Sequence, residues 1–247
     1  MRAADLAAPF AEFVAEHGGR AAVAWAPVGA PDHVQVLGST TDRDAWSTIK
    51  VPIAVAALNA ADDSEVGELQ AQAAAAIERS DNRAAAVLWR SLGTGAQASD
   101  AVEGFLALAG DPRTEVGEDA VGEQRGFGRT AWSVADSARV ASMLPCLPEA
   151  AFVYDEMAKI DKDHRWGMGA MSVPVRFKGG WGPSDHGYLV RQLGVMQKDG
   201  GQIALAMAVQ PGDGRHETGT ATADELARWL GLRLGAQDVG ACPTTLP

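Results

Sequence analysis

The sequence predicts an α+β fold: a five-stranded antiparallel sheet flanked by the terminal helices, with an inserted all-helical subdomain. Three observations carry this. Strand-like segments lie near both ends of the chain and not in the middle; an Ala-rich stretch over about 45–160 keeps helical spacing; and both ends carry helices with one apolar face.

The elements follow in order. Leu6, Phe10, Phe13 and Val14 recur at helical spacing, and Gly18-Gly19 ends that helix. Segments 21–28 and 34–37 read as two strands joined by a turn containing Gly29, Pro31 and Asp32. Helices are expected over 47–60, 65–79, 82–92, 97–109, 134–144 and 149–160. The fourth and fifth are separated by a Gly-rich loop, 110–130, and loops this long inside a compact body tend to be functional. Three strands follow over 173–177, 188–196 and 202–209. A last helix is expected over 223–234, where Thr222 and Glu225 have capping-box spacing and Leu226, Trp229 and Leu230 form the apolar face. The whole reads as one domain over 1–247, with an α/β subdomain of 1–46 plus 170–247 and a helical subdomain of 47–169.

The formal net charge is −11 across 247 residues. Such a surface repels phosphate backbones and anionic lipid, which argues against nucleic acid and membrane surfaces as partners. No stretch has the roughly 18 uninterrupted apolar residues of a membrane-spanning helix. Asp5, Pro9, Glu12 and Glu16 break the N-terminal apolar run that an export signal needs, so the chain is either cytoplasmic as written or, as expected, the mature form of an exported protein (periplasmic, cell-wall or secreted) without its leader. Two cysteines, Cys146 and Cys242, leave two readings open: isolated small residues, or one disulfide holding the C-terminal tail to the body of an exported protein. His17, His33, His164, His186 and His216 show no metal-ligand spacing and read as surface or loop residues, so no metal is assigned. The 28 glycines form no phosphate loop, and no cofactor is expected.

Chemistry is suggested first by Ser47-Thr48-Ile49-Lys50. A serine hydroxyl needs a base, and a lysine three residues later on a helix shares its face. A position near the helix start also favours developing negative charge. Ser80-Asp81-Asn82 falls between two expected helices, where each residue type is equally at home as a cap. Lys178-Gly179-Gly180 ends a strand, and paired glycines let another backbone approach closely. Taken singly, the second and third patterns are more common as a helix cap and a surface turn.

Together, in this order, the three resemble the active-site signature of serine β-lactamases and penicillin-binding DD-peptidases. The flanking Trp46–Pro52 and Glu78–Asn82 segments also look like that superfamily. The resemblance implies Ser47 as nucleophile, Lys50 as its base and Ser80 as proton relay to the leaving nitrogen. Asn82 and Lys178 would contact substrate, Lys178 at a carboxylate. The N–H groups of Ser47 and Trp181 would form an oxyanion hole, with Gly180 admitting the backbone. It also implies a monomer acting on a small molecule or a peptidoglycan peptide. Three departures stand out. Gly179 replaces the family's usual Thr or Ser. The stretch between Ser47 and Ser80 is short, which suggests an open cleft. In the 110–130 loop, Ala120 falls where class A β-lactamases place their deacylating Glu; Glu115, Glu118 and Glu123 lie nearby without the accompanying Asn. Slow deacylation is the expectation, and a non-hydrolytic penicillin-binding or sensing module is the alternative.

Among the remaining residues, Trp25, Trp89 and Trp229 read as core, whereas Trp166 and Trp181 sit in Gly-rich segments that could line a cleft. Arg191 is expected either to help bind a carboxylate or to be a satisfied sheet residue.

Overall fold

A computed structural model describes residues 2–118, 126–184 and 186–244. Five strands form one antiparallel sheet: β1 (Arg20–Pro27), β2 (Gln35–Gly38), β3 (Val175–Ser184), β4 (Gly187–Lys198) and β5 (Gly201–Gln210), in the order β2-β1-β5-β4-β3. Helices α1 (Ala3–His17), α2 (Lys50–Ala60), α3 (Val66–Glu78), α4 (Asn82–Ser91), α5 (Gly95–Leu108), α6 (Val134–Met143), α7 (Ala151–Glu156) and α8 (His216–Arg233) complete the α+β architecture. The expected fold class is the one observed.

The two sheet faces differ in side-chain size, and this sets what packs on each. Ala22, Ala24 and Ala26 of β1 pair with Ala208, Ala206 and Ala204 of β5, so one face is a flat patch of small side chains. Helix α6 lies against β1, β4 and β5, and Arg191 of β4 reaches its Ser137 from that side. The opposite face carries Val23, Trp25, Leu205, Met207 and Val209. Helix α8 packs there, with Gly219 against Val190, and joins α1 through Phe10, Phe13 and Trp229. Trp25, Trp89 and Trp229 are core residues, as expected. Helix α2, apolar nearly all round, is the hub of the other helices and packs on α3, α4 and α5.

Several boundaries differ from the sequence reading. Helix α8 begins at His216, about two turns early, and Thr222 is buried within it rather than capping it. The Thr- and Gly-containing first turns have poor intrinsic propensity, but Gly219 lets the helix settle on Val190, and packing overrides propensity. Strand β3 does not stop before Lys178. It runs through both glycines to Ser184, paired with β4 along its whole length. Helix α7 is shorter than expected, flanked by a 3-10 turn at Pro148–Ala150. Cys146 and Cys242 form a disulfide, which settles the open question in favour of a pinned tail.

Arg191 is a sheet residue held by its two terminal nitrogens, while its buried Nε has no partner among the described residues. It is 2% exposed and donates to the carbonyls of Arg43, Asp44 and Trp132 and to Ser137 Oγ, so it holds the chain just before Trp46 and Ser47. Among the described residues, no helix is long and apolar enough to cross a membrane.

Candidate active site

Ser47 sits in a 3-10 turn, Trp46–Ile49, that runs directly into α2, rather than in the α-helix itself. The turn is held by the Thr48 N–H and hydroxyl, both donated to the Ala45 carbonyl at 3.1 and 2.5 Å. Trp46 has φ +47°, one of two non-glycine residues with positive φ among the described residues; the other is Ser80 at +57°. Such conformations are costly for L-residues and cluster where a site must be held in shape. Here they flank one cluster of side chains.

Lys50, in the first turn of α2, is 1% exposed. Its Nζ donates to the Ser80 carbonyl and to Asn82 Oδ1, both at 2.6 Å, and to Ser80 Oγ at 3.4 Å. Within the described residues, Ser47 is not among its hydrogen-bond partners. Burial lowers the Lys50 pKa to about 7, opposed by the nearby Asp81 charge. Such an amine is partly neutral at physiological pH and can take up a proton.

Ser80 follows α3 and precedes the N-cap of α4. Asp81 is that cap, accepting from the N–H groups of Arg83 and Ala84 at 2.7 and 3.0 Å. Those bonds to its carboxylate, with the lysine and arginine charges nearby, hold the Asp81 pKa below its usual value. Asp81 therefore shapes the turn, while its neighbours Ser80 and Asn82 face Lys50. Lys178, on β3, reaches the same hydroxyl from the other side. Its Nζ donates to Ser80 Oγ at 3.0 Å and to the Gly179 carbonyl at 2.9 Å. Lys178 is 2% exposed, and burial, with Lys50 nearby, pushes its pKa well down. Two lysines with weakened basicity thus bracket one serine hydroxyl.

Strand β3 is pressed against the Ser47 turn. A methyl group added at Gly180 would lie 2.8 Å from the Ser47 nitrogen, 2.9 Å from the Thr48 nitrogen and 3.0 Å from the Ala45 oxygen. Because β3 is an edge strand, the N–H groups that point away from β4 are not used by the sheet. The Trp46 ring lies across Gly182, with the Arg129 guanidinium 5.0 Å from the ring centre and paired to Asp44. Gly128 stands against the Trp46 backbone, and Phe127 packs on Trp89. The structure thus gathers Ser47, Lys50, Ser80, Asn82, Lys178, Gly180 and Trp181 around one junction of α2, α4 and β3.

The sequence offers no sign of two neighbours, His164 and His216, though it does place Trp166 and Trp181 in Gly-rich segments that could line a cleft. His164 lies 4.9 Å and His216 lies 6.0 Å, ring to ring, from Trp181, and Trp166 meets Trp181 edge-on at 6.1 Å. Both histidines are partly buried rather than free on the surface. Burial and the Lys178 charge lower the His164 pKa. Nothing in their spacing marked them, because they come from a short turn and a helix start far apart in the chain.

The loop after α5 is anchored by Asp111, buried and accepting from Trp132 Nε1 at 3.0 Å and Thr114 Oγ1 at 2.6 Å. Val116 is tied to Glu103 and Ser99 of α5, and Glu115 and Glu118 on either side of it are exposed. Neither hydrogen-bonds Lys50 or Ser80. Ala120 and Glu123 lie outside the described residues.

No family model matches the sequence, and no curated protein sequence does. Solved structures do. A variant of the last common ancestor of Gram-negative bacteria class A β-lactamase matches with TM-score 0.66 at 20% identity, covering 94% of this chain and 98% of that one. The class A β-lactamase from Mycobacterium abscessus gives TM-score 0.65 at 18% identity over 90% and 96%. The TLA-3 extended-spectrum β-lactamase gives 0.70 at 12% identity over 93% and 99%. The chain therefore has the serine β-lactamase-like fold.

Proposed function

We propose that this protein is a β-lactamase-like serine hydrolase that works through an acyl-enzyme at Ser47, on lactam, amide or D-Ala-D-Ala-type peptide substrates. The observation that carries the reading is the Lys50–Ser80–Lys178 network beside the Ser47 turn, with Lys50, three residues after Ser47, carrying a pKa of about 7. In this scheme neutral Lys50 takes the Ser47 proton as Oγ attacks the carbonyl carbon. The oxyanion is received by the N–H groups of Ser47 and Trp181, donors of a kind commonly worth about 3 kcal/mol each in serine hydrolases. Ser80 then passes its proton to the leaving group and is reprotonated from the lysines that bracket it. Asn82, whose Oδ1 holds Lys50, presents its amide N–H to the substrate.

Deacylation is the slow step in this reading. Asp81 is the only carboxylate whose charge bears appreciably on Lys50 among the described residues, and it is committed to capping α4. That same observation favours a second reading, a penicillin-binding or sensing module that acylates without turnover. The Cys146–Cys242 disulfide supports an exported protein, because such bonds persist in oxidising compartments. The deciding experiment is labelling with fluorescent penicillin, followed by intact mass. Stoichiometric labelling that is lost in Ser47→Ala, with thermal stability retained, is expected. Labelling that survives Ser47→Ala sinks the proposal. Rapid multiple turnover would remove the slow-deacylation part alone.

A further inference from the structure

The substrate-facing edge of β3 is built unlike a carboxylate receptor. Gly179 offers no hydroxyl, and the space its side chain would fill is already taken: a methyl group there would lie 3.1 Å from Trp166 Cζ2. Lys178 does not present its charge outward. It is 2% exposed and donates to Ser80 Oγ and to the Gly179 carbonyl. Arg191 points to the sheet face opposite Gly179 and Trp181 and donates to the backbone before Ser47. What stands beside Gly179 and Trp181 instead is a row of rings, all partly exposed: Trp166, Trp181, His164, His216 and Tyr188. His164 Nδ1 and His216 Nε2 are buried without a hydrogen-bond partner among the described residues. A carboxylate placed against this edge would lose its hydration and, among the described residues, meet no fixed cation in return, which is unfavourable. A neutral, flat or apolar group would gain contact with the ring faces and edges.

We infer that the site favours substrates that are uncharged on the leaving-group side, esters or amides without a carboxylate there, with an aromatic or other apolar group lying against Trp166 and Trp181; penicillins and D-Ala-D-Ala peptides, which carry that carboxylate, acylate Ser47 more slowly. This rests on the acyl-enzyme reading above. It differs from what the sequence motifs implied for Lys178, which in this arrangement tunes Ser80 rather than receiving an anion.

The test is a matched pair of phenylacetate esters whose leaving phenol bears either a 3-carboxamide or a 3-carboxylate. Phenol release by the full-length protein is followed as kcat/KM and divided by each ester's own rate with hydroxide. The expected preference for the carboxamide is about tenfold or more, the factor carried by about 1.4 kcal/mol. Trp166→Ala, which clears the space over Gly179, should narrow that preference mainly through KM; Trp166→Phe serves if the alanine variant does not fold. A preference below about threefold, or one for the carboxylate, overturns the inference and leaves Ser47 acylation standing. If neither ester is cleaved faster by the wild type than by Ser47→Ala, the proposed function itself fails, and the inference goes with it.

Discussion

Gly180→Ala probes the fit of β3 against the nucleophile turn. The added carbon would sit 2.8 Å from the Ser47 nitrogen and 2.9 Å from the Thr48 nitrogen. Non-bonded carbon contacts are optimal at about 3.5–4.0 Å, so the two backbones must part by about 0.7 Å or more. Both neighbours are main chain, so no side chain can rotate away to absorb the clash. Gly180 has no positive φ, and alanine is therefore not excluded by backbone conformation. The displacement falls between the two N–H groups proposed to receive the oxyanion. A misplacement of about 1 Å in such a site can cost about a hundredfold in rate. We expect acylation by fluorescent penicillin to slow by about 30- to 100-fold, with a modest loss of melting temperature. Gly67→Ala, on α3 with open space at its Cβ, is the control and should leave acylation unchanged while holding or slightly raising the melting temperature. A Gly180→Ala protein that acylates within about threefold of wild type would refute the assigned role of this contact.

Three further outcomes follow from the same geometry. Acylation should depend on neutral Lys50: the rate should fall about tenfold per pH unit below a midpoint near the lysine's value of about 7 and level off above it, and a flat profile across that value would remove Lys50 as the base. Asp81→Ala should cost about 1 kcal/mol in denaturant unfolding through the lost α4 cap, and should also slow acylation because Ser80 and Asn82 sit on the same turn; a variant with unchanged stability would contradict the cap assignment. Cys242→Ala should lower stability by about 2–5 kcal/mol, since the bond closes a loop across 96 positions, while leaving Ser47 labelling of the folded protein intact; unchanged unfolding would mean the tail contributes nothing.

Much of the fold was legible because its signals are local. Strand-like runs at both ends and helical spacing between them suffice to place five strands around a helical insertion, and the terminal apolar faces say that those helices cover the sheet. The motif residues were legible for the same reason: each is a short pattern in a recognisable setting. Boundaries failed where packing overruled local preference. Gly179 and Gly180 read as a strand end or a turn, yet they continue β3, and with Gly182 they leave room for Trp166, the Ser47 backbone and the Trp46 ring. Thr222 and Glu225 imitate a helix start inside α8 because Gly219 gives the earlier turns a seat on Val190.

The sequence alone determined the α+β class and the three sets of polar residues, since periodicity and motif spacing are properties of the chain itself. Only the tertiary structure decided what those residues can do. It buried Lys50 and Lys178 around the Ser80 hydroxyl, which lowers their basicity. It also committed Arg191 to the backbone before Ser47 and brought His164, Trp166 and His216 to Trp181. Desolvation, charge proximity and ring contact depend on distances between residues far apart in the chain, and those distances exist only once the sheet and helices have closed on one another.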